Sequence, residues 1–164
     1  MDGLTVLPND SLGLATAELT ERMAHAMASA AHAYVVALVR ELAKRGYDDL
    51  TPSSARLLSR IDADGSRATT LAQILRRTKQ AVGQTVIELE LRGYVERVAD
   101  PLDARARLIR RTSRGAEALA AGVEIRRQLD AMTNEALDTN ELLAIERGLE
   151  KLSAMIRSDD PGKA

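Results

Sequence analysis

Cysteine, tryptophan and phenylalanine are missing from this sequence of 164 residues, and aromatic residues make up only 2% of it. Without cysteine, the chain forms no disulfide, no thiolate metal site and no cysteine nucleophile. Its two histidines, His25 and His32, lie seven residues apart, so one chain supplies neither an i, i+4 zinc pair nor a three-histidine site. Three tyrosines are too few to stack the bases of a single strand. We therefore expect no metal and no cofactor.

Long apolar runs and targeting signals are also lacking. The longest uncharged run, residues 23–39, is rich in alanine and falls short of the ~20 strongly apolar residues of a membrane span. Residues 1–3 lack the basic flank and apolar core of a secretory signal. The sequence contains no phosphate-binding glycine loop and no carboxylate pair in an apolar setting, so neither feature points to catalysis. The sequence predicts a cytoplasmic protein that is not an enzyme and has no membrane partner.

The charge distribution is uneven, although the net charge is only -1. Residues 66–115 contain 11 Lys and Arg against 5 Asp and Glu, a local balance of +6. The flanking segments, 1–65 and 116–164, have balances of -3 and -4. A basic centre between acidic ends is typical of a module that contacts a polyanion, although an uneven solvated surface gives the same count.

Long helices are predicted at both ends of the chain. Residues 1–11 show no clear period and are interpreted as an arm, whereas apolar residues recur at helical spacing from Leu12 to Arg45, before Gly46. Residues 113–137 are expected to form another long helix, and Asp138 with Glu141 would cap the last one. The last helix has an apolar stripe, which comprises Leu142, Ile145, Leu149, Leu152 and Ile156.

Between these long helices, the sequence predicts three short helices and a β-hairpin. The expected N-caps of the short helices are Thr51, followed by Pro52, then Thr69 and Thr78. Their buried stripes would be Ala55, Leu58 and Ile61, then Leu71, Ala72 and Leu75, then Val82, Val86 and Leu89. The first would end at Asp64-Gly65, the short strand 66–68 would follow it, and Gly93 would close the third.

The hairpin would comprise residues 94–98 and 105–112 around a turn at 100–103. Two short helices followed by such a hairpin form a winged helix-turn-helix, whose second helix enters the major groove. The predicted fold is therefore mainly α with a small β-hairpin wing. Residues 51–112 form the winged helix-turn-helix, and residues 12–50 and 113–164 form a helical dimerisation region.

The second helix of this unit presents two amides on one face. Gln80 and Gln84 lie one turn apart, and a glutamine amide both donates to and accepts from the adenine edge. Gly83 lies between them in mid-helix, where glycine costs about 1 kcal/mol relative to alanine, and a close approach to DNA would explain it. The alternative is a surface helix with two solvated amides.

Three segments together resemble the MarR family of bacterial transcription regulators. They are residues 71–86 (LAQILRRTKQAVGQTV), 89–97 (LELRGYVER) and 100–108 (DPLDARARL), and the resemblance extends over about residues 15–157. The wing signature of the family is present as Asp103, Arg105, Thr112 and Gly115. The chain departs from the family pattern by having Arg76 and Arg77 between the two helices, and Ala104 and Arg111 in the wing.

The resemblance implies that Arg105 enters the minor groove and is held by Asp103. A narrow A·T-rich minor groove concentrates negative potential, which attracts a guanidinium. Taken alone, an Asp-x-Arg turn is more often a surface salt bridge. Arg76 and Arg77 would add phosphate contacts. The candidate DNA-binding residues are Arg76, Arg77, Thr78, Lys79, Gln80, Gly83, Gln84, Asp103, Arg105 and Arg107.

The resemblance also implies a homodimer and a small effector. The first and last helices of two copies of the chain would interlock about a two-fold axis. The residues at this interface would be Leu19, Met23, Leu142, Ile145, Leu149, Leu152 and Ile156. A small aromatic or anionic effector would bind near His32, Tyr34 and Arg56. The leading hypothesis is a dimeric repressor that reads a pseudo-palindromic operator in double-stranded DNA and is relieved by a ligand. The alternative is a winged-helix protein-interaction module that does not bind DNA.

Overall fold

The computed structural model of the chain describes the backbone of residues 9–158 and the side chains of residues 18–103 and 105–155. Six helices and three strands are present in this part of the chain. In order they are α1 (Asn9–Lys44), α2 (Pro52–Leu58), β1 (Ser66–Arg67), α3 (Ala68–Leu75), α4 (Lys79–Leu91), β2 (Val95–Asp100), β3 (Asp103–Arg111), α5 (Ser113–Ala136) and α6 (Thr139–Ser158). The predicted fold class, mainly α with a small wing, is confirmed.

The three strands form one antiparallel sheet in the order β1-β3-β2. β2 and β3 are the two strands of the hairpin, and Val98 pairs with Leu108 near its middle. On the other side of β3, Ser66 pairs with Ile109 and Arg67 with Leu108. The short segment before α3 therefore joins the base of the wing to the helices.

Most predicted helix caps are present, because short polar side chains satisfy the first free N–H groups of a helix. The Thr51 hydroxyl accepts from the Ser54 N–H, and Pro52 takes the first helical position of α2. The Thr78 hydroxyl accepts from the Ala81 N–H at 3.2 Å. At α6, the Asp138 carboxylate accepts from the Glu141 N–H at 2.9 Å and the Glu141 carboxylate from the Asp138 N–H at 2.8 Å.

Two predicted boundaries of the short helices are wrong. The N-cap of α3 is Arg67, without a side-chain cap, and not Thr69, because the backbone at 66–67 pairs with β3 immediately before the helix. α2 ends at Leu58, well before Gly65. Ile61 is buried as predicted, but it lies in the connection after α2, so burial there did not require helical structure.

Two other boundaries differ. α1 begins at Asn9, so the last three residues of the predicted arm are helical; polar and acidic residues suit the first turn of a helix. Residues 1–8 lie outside the described residues. The hairpin turn is shorter than predicted, because Asp100 pairs with Asp103 and only Pro101 and Leu102 lie between β2 and β3.

The hydrophobic core lies in and around the winged helix-turn-helix. Its fully buried side chains include Leu57, Leu71, Val82, Val86 and Leu89 of α2, α3 and α4, together with Tyr94, which directly precedes β2. The stripes predicted for α3 and α4 are buried, because residues three and four apart share one helix face. The core thereby fixes the opposite face of α4 towards solvent.

The chain divides into two compact units, one up to Gly122 and one from Val123. In the first unit, all described side chains of α1 between residues 18 and 33 are exposed. In the second, Ile125 is the one buried side chain among residues 123–155. Across the described residues, no helix is both long and apolar enough to traverse a lipid bilayer. The grouping of residues 12–50 with 113–164 concerns a dimer and stays a prediction.

Candidate nucleic-acid interface

The exposed face of α4 carries the two predicted amides. Gln80 and Gln84 are exposed, whereas Val82 and Val86, about half a turn away, are buried. Gly83 lies beside the amides with an ordinary helical backbone, and no atom lies within 4 Å of the position that a Cβ would take. The fold therefore does not require glycine at this position.

The connection between α3 and α4 contains Arg76 and Arg77, the two arginines that depart from the family pattern. Arg76 takes the left-handed conformation, with φ 50° and ψ 47°, a region that favours glycine and costs another residue about 1–2 kcal/mol. Arg77 donates from Nη1 to the Ser53 hydroxyl at 2.6 Å. Both side chains are exposed beside Thr78 and Lys79 at the start of α4, so four predicted DNA-binding residues lie next to one another.

The wing presents two further arginines. Arg105 and Arg107 are both exposed on β3, near an irregularity in its pairing with β2. Among the described residues, neither guanidinium makes an ion pair or a hydrogen bond.

Asp103 contacts Arg105 through the backbone. The Asp103 carboxylate accepts from the backbone N–H of Arg105 at 3.1 Å and lies 3.9 Å from the Arg67 guanidinium. A backbone N–H two residues ahead is a common partner of an aspartate in a turn. Asp103 therefore shapes the turn and leaves the Arg105 side chain free to extend.

An ion pair between β1 and the tip of the hairpin, with a buried carboxylate, was missed from the sequence. Asp100, 6% exposed, accepts from Arg67 Nε at 2.7 Å through Oδ2 and from the Leu102 N–H at 2.9 Å through Oδ1. The Leu102 N–H, followed by the Arg67 side chain, holds the pKa of the Asp100 carboxyl below its ordinary value. This brace joins β1 to the tip of the hairpin, and no local pattern links residues 33 positions apart.

Arg111 has a structural role that the sequence did not reveal. Its guanidinium donates to the carbonyl oxygens of Leu58, at 3.4 Å, and of Ile61. These carbonyls belong to the end of α2 and the turn after it, where helical partners are lacking. The arginine that departs from the family pattern thus anchors the end of β3 to α2.

A polar cluster connects the loop after α1 to both ends of the wing. The Tyr94 hydroxyl donates to Asp49 Oδ1, and the Arg114 guanidinium lies 4.5 Å from the centroid of the Tyr94 ring and 3.3 Å from Asp49 Oδ2. Burial, together with the hydrogen bond to Asp49, raises the pKa of Tyr94 to about 12. The cluster ties together segments that are distant in sequence.

Close packing at the end of the wing depends on Gly115 of the family signature. The Thr112 hydroxyl donates to the Gly93 carbonyl at 2.6 Å and accepts from the Gly115 N–H at 3.2 Å. A Cβ on Gly115 would overlap the Tyr94 carbonyl oxygen and lie 3.0 Å from its carbon. The start of α5 and the start of β2 therefore approach each other too closely for any side chain.

The predicted effector residues lie on α1 and α2. His32 and Arg56 are exposed, and Tyr34 is half-buried. A cleft of about 650 Å³ lies beside the sheet, and its lining includes Asp62, Asp64, Arg67, Val98, Leu108 and Arg110. None of the three effector candidates lines it. Among the described residues, no group of three or more potential metal ligands is present.

The predicted dimer residues lie on faces that a single chain leaves largely uncovered. Leu19 is 58% exposed and Ile145 48% exposed, and Met23 and Leu149 are also exposed. Leu142 and Leu152 are half-buried, and the side chain of Ile156 lies outside the described residues. A shallow groove of about 500 Å³ follows this face of α6, beside Leu142, Ile145 and Leu149.

Comparisons with known proteins agree with this arrangement. The model of the MarR family matches residues 48–106. The fold is similar to that of Streptococcus pneumoniae FabT in complex with DNA, with a TM-score of 0.72 and 18% identity over 85% of this chain and 98% of that chain. It is similar to the S. aureus MepR–DNA complex, with a TM-score of 0.68 and 20% identity over 80% and 96% of the two chains.

A mutant MarR from E. coli, complexed with operator DNA, gives a TM-score of 0.67 at 20% identity over 80% of this chain and 93% of that chain. A comparison with curated proteins gives no match. The identities are low, so these structures establish the fold, and the family model covers the helix-turn-helix and most of the wing. Residues 48–106 therefore match the model of the family that the sequence resembles, and they lie in the part of the chain that folds as a winged helix-turn-helix.

Proposed function

We propose that the protein is a dimeric transcriptional regulator that binds double-stranded DNA, with α4 in the major groove and the wing in the minor groove. The observation that carries the proposal is the exposed pair Gln80 and Gln84, which the buried face of α4 turns outward. Arg105 and Arg107 extend the same basic segment along the wing. FabT, MepR and MarR, whose folds are similar, were crystallised with DNA, and this supports the proposal.

The candidate residues fall into two groups by chemistry. Gln80 and Gln84 have amides that can bond to the adenine edge and thereby read sequence. Arg76, Lys79 and the free N–H groups at the start of α4 suit phosphate oxygens, which fix position without reading sequence. Base contacts and phosphate contacts have different experimental signatures, so the two roles can be separated.

A homodimer accounts for the uncovered apolar faces. In α1, the described side chains from 18 to 33 are all exposed, and an isolated helix is marginal in water without tertiary packing. On α6, Ile145 and Leu149 are exposed along the predicted stripe. Burying these faces between two copies would also present two α4 helices to successive major grooves, as a pseudo-palindromic operator requires.

Relief by a ligand is the part of the proposal that rests on the family resemblance. A small aromatic or anionic effector near His32, Tyr34 and Arg56 would favour a spacing of the two α4 helices that no longer fits one turn of DNA. The test is a screen of small aromatic carboxylates by thermal shift. A hit is expected to weaken DNA binding, and its effect should be reduced in His32→Ala or Arg56→Ala.

The test of DNA binding starts from selection of bound sequences out of a random duplex pool. On the selected site, Gln84→Ala should lose about 1–3 kcal/mol, roughly 5- to 150-fold in affinity, and little on random duplex. Gln128→Ala removes an exposed glutamine of α5 and is the matched control. If the wild type selects no sequence and binds no duplex, the protein-interaction module becomes the better hypothesis.

The wing is tested separately on sites with A·T or G·C flanks. If Arg105 enters the minor groove, Arg105→Ala should weaken binding most where the flanks are A·T-rich and the groove is narrow. A loss that is equal on both flanks, with a salt slope lower by about one, would indicate a phosphate contact instead.

A further inference from the structure

The tip of the wing is apolar, although the segment around it is basic. Pro101 and Leu102 are the two residues between the paired ends of β2 and β3. Leu102 is 91% exposed, more than any other large hydrophobic side chain among those described. A single exposed leucine is ordinary on a protein surface, so its exposure alone carries no conclusion. Its setting is what distinguishes it.

The tip is held in place by hydrogen bonds on both sides. The buried Asp100 carboxylate accepts from the Leu102 N–H at 2.9 Å and from Arg67 of β1. On the other strand, Asp103 accepts from the Arg105 N–H at 3.1 Å. Pro101 fixes its own φ and thereby removes one degree of freedom from the turn. The conformation of the turn is therefore restricted, so the tip can keep its shape when its side chain presses against a partner.

We propose that Leu102, supported by Pro101, inserts between two base pairs from the minor groove and partly unstacks them. This inference rests on the proposed DNA-binding function. Leucine and proline are among the apolar residues that minor-groove proteins use as wedges, and the wedge kinks the duplex towards the major groove. Arg105, three residues along, would enter the same groove and offset the charge of the phosphates around the bent step.

A protein partner fits this tip less well. A stable protein interface buries more than about 1,000 Å² with a continuous apolar centre, whereas the apolar surface here is two residues. The exposed side chains described on β3 near the tip are Asp103, whose carboxylate accepts from the Arg105 N–H, and then Arg105 and Arg107, which suit a polyanion. DNA is therefore the occupant that both the apolar tip and its basic surroundings favour.

The experiment measures unstacking, bending and affinity on one selected duplex. The duplex carries 2-aminopurine at steps along the wing site and a fluorophore pair at its ends. In the wild-type complex, 2-aminopurine fluorescence should rise at one step and the end-to-end distance should shorten. Leu102→Ala should abolish both signals and weaken binding about tenfold, whereas Leu102→Met should retain them.

Leu91→Ala is the matched control, since Leu91 is 83% exposed at the end of α4 but is not part of the wing tip. It should leave both signals unchanged, and neither leucine variant should alter the melting temperature. Flexible pyrimidine–purine steps at the wing site should be preferred by the wild type and not by Leu102→Ala. If the wild type binds without unstacking, or Leu102→Ala unstacks equally, the wedge is wrong and the proposed function stands. If no duplex is bound, both are wrong.

Discussion

The winged region, residues 51–112, and the terminal helices carry apolar residues at the same helical spacing but bury them to different extents. The terminal helices are here residues 18–33 of α1 and residues 123–155, which belong to α5 and α6 and the turn between them. In the winged region, Leu57, Leu71 and Leu89 are fully buried. In the terminal helices, Ile125 is the one buried side chain described. An apolar stripe therefore does not by itself show that the same chain covers that face of the helix.

The largest expected effect tests whether the winged region is fixed by its own packing. Gly115→Ala places a methyl group on the Tyr94 carbonyl, which already accepts from the Thr112 N–H. Because backbone atoms cannot move aside cheaply, the free energy of unfolding should fall by about 3 kcal/mol or more. Urea denaturation followed by circular dichroism measures it.

Gly122→Ala is the matched control, because it lies in the same helix with no atom within 4 Å of the added carbon. It should stabilise the protein by up to about 1 kcal/mol, since alanine is the better helix former. Equal effects of the two substitutions would contradict the close approach at Gly115.

The second prediction addresses the terminal helices. Leu149→Glu together with Leu152→Glu would place charges on the apolar stripe of α6, and burying unpaired charges between two copies costs several kcal/mol. The dissociation constant of the dimer should rise by about 1,000-fold or more, which sedimentation velocity can follow. The backbone amide shifts of the winged region, followed by NMR, should change little.

Leu143→Glu is the control, because Leu143 is exposed on a different face of α6. It should leave the dimer intact. A wild type that sediments as a monomer at micromolar concentration, or equal dissociation by both changes, would contradict the proposed interface and the interpretation of the comparison.

Local interactions were predicted better from the sequence than interactions between distant segments. Thr51, Thr78 and Asp138 cap their helices as predicted, because a cap depends on atoms three residues away. The predicted start of α3 was wrong, because Arg67 pairs with a strand some 40 positions along the chain. Local preference for a helix start at Thr69 could not compete with that pairing.

In the candidate site too, local features were predicted from the sequence and contacts between distant residues were not. The exposure of Gln80 and Gln84 followed from the periodicity of α4 and was correct. The brace between Arg67 and Asp100, and the bond from Arg111 to the end of α2, join residues that no local pattern relates. Asp103 contacts Arg105 as a local turn pattern allows, because its carboxylate accepts from the backbone N–H two residues along the chain.

The third prediction sharpens the comparison within one helix. Gly83→Ala should raise the free energy of unfolding by about 1 kcal/mol, because the added methyl group meets open space. If DNA approaches α4 closely at this point, affinity for the selected site should fall at the same time. Denaturation and fluorescence anisotropy on one preparation measure the two opposite changes.

Gly148→Ala is the control, since Gly148 is exposed in α6 and also faces open space. It should give a similar gain in stability with unchanged DNA affinity. If Gly83→Ala binds DNA as the wild type does, Gly83 lies outside the contact surface and its presence has no account in DNA recognition.

The smallest expected effect concerns the buried carboxylate of the wing. The Leu102 N–H and then Arg67 hold the pKa of Asp100 below its ordinary 3.8. A carboxyl whose pKa is lower in the folded state stabilises the protein above its unfolded pKa, and this stabilisation is lost as the pH falls through the folded value. Asp100→Asn keeps an oxygen for the Leu102 N–H but removes the charge opposite Arg67. The wild type should therefore be more stable than Asp100→Asn at neutral pH, and the difference should shrink below pH 3.8. Denaturation curves of both proteins over this range measure it, and a difference independent of pH would mean that the charge of Asp100 does not brace the wing.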